Sequence, residues 1–428
     1  MRELFSFVGP DHPFAPHLER LRVDVDAHPL CGETLRHAAT TEVRALMRGQ
    51  PVSGGGWRLK RVDLSFQSRV DANPLRFHAV TLLYSGRTAW TEAFEFPNDP
   101  SLTPASFFAS AATRGSEIDV LRYVPRRRLT FRVHRPSDEE APTVGKFLRH
   151  AELEPAYATL AKVRRAVTAA GTTFSVAAPM GIERDLGVFF QQVRPGMPLA
   201  ALLDADRCGD LLRLVGVIHR DIHSLAVADV PTWDVRAVLD DVTNHVTWVS
   251  FFQPRHASFL EALRDLLVAH VPPVDPRTYT FCHGDFRCAQ VLREDGRWSV
   301  VDFDGAMRAD PHLELAHMMA FLKYDVPRFR DLFADPEQDA TDLVEAAARA
   351  YLAGYEERAK EPVNPKRLLW YRIGSEIHYL DRMISRDLFN PVAFDRTLKL
   401  LGDLGHQLLV LGASHDRRRR REDRVPLS

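Results

Sequence analysis

The sequence predicts an α+β protein of two lobes, a small β-rich one followed by a large helical one, with a helix and an antiparallel sheet ahead of both. Three observations predict it. Alternating apolar runs fill the first part of the chain, helical periodicity dominates beyond Gly196, and a short segment, QQVRPG, lies between them. With 428 residues, 45% hydrophobic and 26% charged, the chain can bury the cores of two or three such units.

Residues 33–48, ETLRHAATTEVRALMR, space their apolar positions by three and four and read as a helix, ended by Gly49 and Pro51. Strand-like runs start at Trp57, Leu75 and Arg87, separated by the turn signals Asn73-Pro74 and Ser85-Gly86, so a three-stranded antiparallel meander is expected. Together these form an N-terminal cap, residues 1–114. From 115 to 195 the β pattern resumes in IDVLRY, LTFRVHR and TVGKFL. A helix over Glu152 to Val167 comes next, and strands near Phe174 and Val188 complete a second small sheet. Residues 196–412 read as helices interrupted by Pro272 and Pro273. Residues 413–428, with arginine at every position from Arg417 to Arg421, read as a solvated, disordered basic tail. Three strands, a helix, two strands, a linker and a helical lobe is the order of a bilobal kinase, and the linker's backbone groups could pair with adenine.

Composition narrows the function. Fifty-six Lys and Arg against 57 Asp and Glu give a net charge of −1, which argues against a nucleic-acid binder relying on phosphate neutralisation. Cys31, Cys208, Cys282 and Cys288 lack CxxC spacing and suit reduced thiols in a cytoplasmic protein. No secretory signal and no run of 18 apolar residues occurs, so neither secretion nor a membrane span is expected.

The chemistry concentrates in residues 281–316, FCHGDFRCAQVLREDGRWSVVDFDGAMRADPHLELA. Phosphoryl transfer asks for a carboxylate beside the acceptor and a metal beside the phosphates. Asp285 would orient an acceptor hydroxyl and take its proton, Gln290 would offer an amide oxygen, and Asp302 would hold Mg²⁺. A hairpin turning at Glu294, Asp295 and Gly296 would return Asp302 to the end of the site that holds Asp285. Asp310, before Pro311, reads as a helix cap rather than a metal ligand. The triplet His219-Arg220-Asp221 copies a protein-kinase catalytic motif, but it lies in a helical pattern with no DFG-like strand after it and is expected to be a surface helix turn.

HGD, the hairpin, DFD and the DP-containing helix start resemble the aminoglycoside phosphotransferase and choline kinase superfamily over roughly residues 115 to 410. The resemblance implies a protein-kinase-like bilobal fold and an ATP-dependent kinase, with Mg²⁺ and with GTP as an alternative nucleotide. It makes Asp285 the base and Asp302 the principal metal ligand, with Asp304 assisting. It also implies Lys146 on the phosphates with Glu154 as its partner, and Gln191, Gln192 and Val193 bordering the nucleotide. Family members usually carry Asn where this chain has Gln290. No glycine-rich phosphate loop is present, and Arg126 to Arg128 could contact phosphate instead. Glu314, Glu376, Asp381 and Arg382 are candidate acceptor-binding groups. The cap resembles the extra subdomain of bacterial maltokinases in element order only, and could hold a partner protein. Three functions stay open: a kinase of a small hydroxylated molecule such as an aminoglycoside, sugar or choline-like alcohol; a kinase of Ser or Thr in a natural-product precursor peptide; and a non-catalytic pseudokinase.

Overall fold

Along Arg128–His134 every second side chain, Leu129, Phe131 and Val133, is buried while its neighbours are partly exposed, the period of a strand with one face on a core. That strand belongs to a computed structural model that describes residues 21–25, 62–67, 76–79, 102, 104, 106–108, 116–124, 128–134, 142–203, 208–338, 340–359, 362–385 and 389–422. The chain divides into two units, one of residues 1–161, 177–193 and 384–389, the other of residues 162–176, 194–383 and 390–428.

In the first unit, β1 (Leu21–Val25) pairs parallel with β2 (Val62–Gln67), which pairs antiparallel with β3 (Arg76–Ala79). The expected meander is therefore corrected in part. Its first two strands pair as anticipated, but the sheet's other edge comes from upstream, where the alternating apolar Leu21, Val23 and Val25 serve as well as any later run. The helix expected at 33–48, the strand expected from Arg87 and the residues 125–127 lie outside the described residues.

The strands β4 (Glu117–Val124), β5 (Arg128–His134), β6 (Thr143–Leu148), β8 (Pro179–Glu183) and β9 (Val188–Gln192) form an antiparallel sheet of order β4-β5-β6-β9-β8. Between β6 and β8 come helix α1 (His150–Ala170) and the short strand β7 (Phe174–Ser175). Leu153, Ala156 and Leu160, at helical spacing on α1, bury against Leu148 and Phe189 of the sheet. Phe107, Phe131, Phe147 and Phe190 pack ring to ring, with centroids 5.2–6.3 Å apart. The strand near Phe174 is expected in this sheet. Instead β7 belongs to the second unit and pairs parallel within it, Phe174 with Trp298 and Ser175 with Ser299.

The second unit runs on through β10 (Met197–Pro198), α2 (Leu199–Leu202), α3 (Cys208–His223), β11 (Thr232–Trp233), α4 (Val235–Phe252), α5 (Ala257–Ala269) and β12 (Thr280–Cys282). Then come β13 (Val291–Glu294), β14 (Arg297–Val300), β15 (Met307–Ala309), α6 (Pro311–Asp325), α7 (Pro327–Ala334), α8 (Thr341–Glu356), α9 (Pro365–Ser385) and α10 (Pro391–Glu422). Two small sheets carry the loops of interest, β10-β13-β14-β7 and β11-β15-β12. α10 continues past Gly412 through the arginine run, because arginine is a strong helix former and one glycine does not end a long helix. That corrects the disordered tail expected from Gly412 onward, as far as Glu422.

One close contact between helices sets the position of two buried histidines. A Cβ on Gly216 of α3 would lie 2.1 Å from the Tyr351 carbonyl oxygen, and one on Gly354 of α8 would lie 1.8 Å from that of Arg213. The two glycines let the helix backbones touch, so His219 and His223, one turn apart on α3, meet Tyr351 and Tyr355, one turn apart on α8. Cys208, Cys282 and Cys288 are free and buried. Among the described residues no helix is long and apolar enough to cross a membrane.

Candidate active site

Asp285 follows β12 on a turn that only glycine can form at Gly284. There φ is +89°, and a Cβ would lie 1.9 Å from the Gly305 carbonyl oxygen. This close approach brings the Asp285 loop against the turn Phe303–Gly305 that comes after Asp302. His283 ties the same two segments, its Nε2 donating to the Val301 carbonyl at 2.8 Å while its ring packs 4.3 Å from Phe303. The hairpin between them turns at Asp295 and Gly296, both at positive φ, in keeping with the tight-turn signal. The Gln290 carbonyl accepts the Val301 amide at 3.0 Å, which places Gln290 across from the residue before Asp302. Asp302 itself adopts φ 71°, ψ 49°, a strained conformation for a residue with a side chain. Asp285, Gln290, Asp302 and Asp304 thus sit on adjoining turns, offering oxygen donors only, the chemistry that suits Mg²⁺.

The Asp285 carboxylate is clamped from one side. Arg287 donates Nε to Oδ1 at 2.7 Å and Nη2 to Oδ2 at 3.1 Å, and its Nη1 reaches Asp325 at 2.6 Å. His317 Nε2 lies 3.6 Å from Asp285 Oδ1. Burial works against ionisation of Asp285, but His317 and Arg287 outweigh it and hold its carboxyl far below the usual range. Asp325, only 4% exposed at its side chain, is pushed upward by its own burial.

Glu314 straps the loop from beneath. Its Oε2 accepts from the His283 amide at 2.9 Å, His219 Nε2 at 2.9 Å and His223 Nε2 at 3.1 Å, while Oε1 accepts from the Gly284 amide at 2.5 Å. Burial opposes its charge, yet the two histidine hydrogen bonds prevail and hold its pKa well below the usual carboxylate value. Burial, together with neighbouring His223, lowers His219 to about 3, so the imidazole is neutral and donates from Nε2. His219, His223 and Glu314 lie close enough together to ligate a cation, but all three are engaged in this strap. The His219-Arg220-Asp221 triplet is therefore helical as expected but not a surface turn. His219 is wholly buried and its ring stacks on Phe286 beside Asp285.

The other candidates fall in different places. Asp310 caps α6, accepting from the His312 amide at 3.0 Å, as expected. Glu376 is buried against Lys323, and Asp381 against His245, while Arg382 donates to His378. With Glu314 on the loop, these residues serve the interior rather than an acceptor. In the first unit Lys146 is buried in β6, whereas Glu154 is largely exposed and paired with Arg184. Gln191 and Gln192 belong to β9, and the Gln192 amide donates to the Ala178 carbonyl at 2.9 Å, so that group is already taken and the linker shortens to begin at Val193. Sequence reasoning misses Arg287, His317 and Asp325. A signal for the last two is the i, i+4, i+8 stripe His317, Phe321, Asp325 on α6.

A β-rich unit, a helical unit and two aspartates on interlocked loops around a hairpin define a protein-kinase-like protein built to transfer phosphoryl groups. The model of the phosphotransferase enzyme family matches residues 119–361, more than half of the chain. The chain belongs to that family. It is 32% identical over 176 residues to the glucosamine kinase of Streptacidiphilus jiangxiensis, covering 36% of this chain and 38% of that protein. Among solved structures it is similar to choline kinase from Streptococcus pneumoniae, with a TM-score of 0.46 at 12% identity, covering 70% of this chain and 98% of that one. A choline/ethanolamine kinase family protein from Mesorhizobium loti gives 0.43 at 17% identity, with 72% and 94% covered.

Proposed function

We propose that the chain is an ATP-dependent kinase that moves a γ-phosphoryl group to a hydroxyl of a small polar molecule. The observation that carries this is the pairing of Asp285 and Asp302 on two loops held together by Gly284, Gly305 and His283. In this reading Asp285 orients the acceptor hydroxyl and takes its proton as the oxygen–phosphorus bond forms. A carboxylate held so far below its usual pKa is a weak base, which suits a loose transition state governed by positioning. Asp302, with Asp304 and Gln290, would hold Mg²⁺, whose charge would offset that of the phosphates. Gln290, longer by one methylene than the usual Asn, reaches the same side because its backbone is fixed opposite Val301. Lys146, with Glu154 nearby in sequence, would serve the phosphates, and Gln191, Gln192 and Val193 would border the nucleotide.

The acceptor reading rests on a pocket of about 50 Å³ in the second unit, lined by Trp233, Asp241, His245, His317, Tyr371 and His378 among others. His317 links it to Asp285. Aromatic faces beside carboxylate and imidazole groups suit a hydroxylated amine or sugar, in keeping with the similarity to a glucosamine kinase. Transfer of labelled phosphate from ATP and Mg²⁺ is measured with glucosamine, choline, spectinomycin and serine-containing peptides as acceptors. Phosphorylated glucosamine or choline, abolished by Asp285→Asn, is the expected result. Labelling of peptides alone favours a peptide kinase, and nucleotide binding without any transfer favours a pseudokinase.

A further inference from the structure

We infer that His317 is a positioning residue that receives the proton from Asp285 and passes it to the pocket; this rests on Asp285 being the base. Arg287 occupies both Asp285 oxygens and already bridges to Asp325, so the side of Asp285 toward Arg287 is closed. On the other side stands His317 Nε2, 3.6 Å from Oδ1, buried and without a hydrogen-bond partner. A buried ring nitrogen left unpartnered beside a carboxylate is an acceptor waiting for a proton that the ground state does not supply. Its ring is fixed by Phe321, one turn along α6, at a centroid distance of 4.2 Å and 22° between planes. The ring also borders the pocket that holds Asp241, His245, Tyr371 and His378.

Every proton has a donor and a destination. As the acceptor oxygen bonds to phosphorus and the bridging oxygen leaves with the nucleotide diphosphate, the hydroxyl proton passes to Asp285 Oδ1. From there it moves to His317 Nε2, and the imidazolium releases its Nδ1 proton to water in the pocket. Asp285 returns to its ion pair with Arg287. The charged and titratable groups facing His317 are Asp285 and Arg287 from the loop, Asp241 and His245 from α4, and Tyr371 and His378 from α9, with Asp325 on α6 itself.

The test uses the full chain with ATP, Mg²⁺ and glucosamine. His317→Gln, which keeps polarity but cannot relay, is expected to lower kcat at least tenfold with the KM for ATP within twofold. His317→Gly is expected to recover at least fivefold in kcat on addition of imidazole, the recovery rising with pH as the neutral fraction of imidazole rises. Parent-like kcat in His317→Gln overturns the relay, as does a folded His317→Gly that imidazole leaves unchanged. If the parent transfers phosphate and Asp285→Asn does so equally, the assignment of the base fails and the relay with it. Loss in Asp285→Asn with no effect at His317 removes the relay alone.

Discussion

Replacing Glu314 separates the strap beneath the Asp285 loop from the chemistry above it. Four donors converge on this carboxylate: the amides of His283 and Gly284 and the Nε2 groups of His219 and His223. Glu314→Leu leaves all of them buried and unsatisfied. At about 1–3 kcal/mol each the loss is roughly 4–12 kcal/mol, comparable with the whole stability of a domain, so this variant is expected not to fold. Glu314→Gln keeps one acceptor oxygen but turns an NH₂ group toward at least one donor, usually that of Gly284. One or two lost partners give about 2–4 kcal/mol, and the variant is expected to fold with a loosened loop. A shift of about 1 Å at Asp285 would then lower kcat by roughly a hundredfold. Urea denaturation followed by circular dichroism gives the stabilities, and phosphate transfer to glucosamine gives kcat. A Glu314→Gln protein within about 0.5 kcal/mol of the parent, or a Glu314→Leu protein with a parent-like midpoint, would refute the strap.

Two buried histidines give stability a maximum near pH 6.5. Neutral His219, lowered to about 3, makes the unfolded chain bind more protons below its ordinary pKa, so stability falls as pH drops from about 6.5. Burial disfavours the charge of His245, but Asp381 and Asp241 raise it to about 9, so its contribution is present below about 6.5 and is lost as pH rises through 9. Each limb changes by at most about 1.4 kcal/mol per pH unit, read as the urea midpoint from pH 5 to 10, and an alkaline limb that persists in His245→Gln would sink the assignment. Arg287→Met leaves Asp325 buried without its cation and is expected to cost about 3–5 kcal/mol, most of it regained by adding Asp325→Leu; a single variant as stable as the parent would show that the bridge contributes nothing.

The small sheet, α1 and the active-site hairpin are legible in the sequence because their signals are local. Alternation over a few residues marks β5, and Asp295-Gly296 marks the turn. Asp285 and Asp302 stand out for the same reason, each on a short loop beside an apolar strand. The edge strand β1 escapes because an alternating run does not say which strand it joins. Pattern alone points Phe174 to the wrong sheet for that reason too. It also makes His219 a surface residue, because helical spacing cannot tell a solvent face from one pressed against a neighbouring helix.

By itself the sequence determined the order of elements, the turn chemistry and the two aspartates, all of which depend on neighbours within a few positions along the chain. Only the tertiary structure decided which charges meet. Arg287 finds Asp325 38 positions away, His219 finds Glu314 95 positions away, and His245 finds Asp381 136 positions away. A carboxylate does not carry the name of its partner in its sequence. Packing supplies it, as where Gly216 and Gly354 let two helices touch and bring His219 and His223 to Tyr351 and Tyr355.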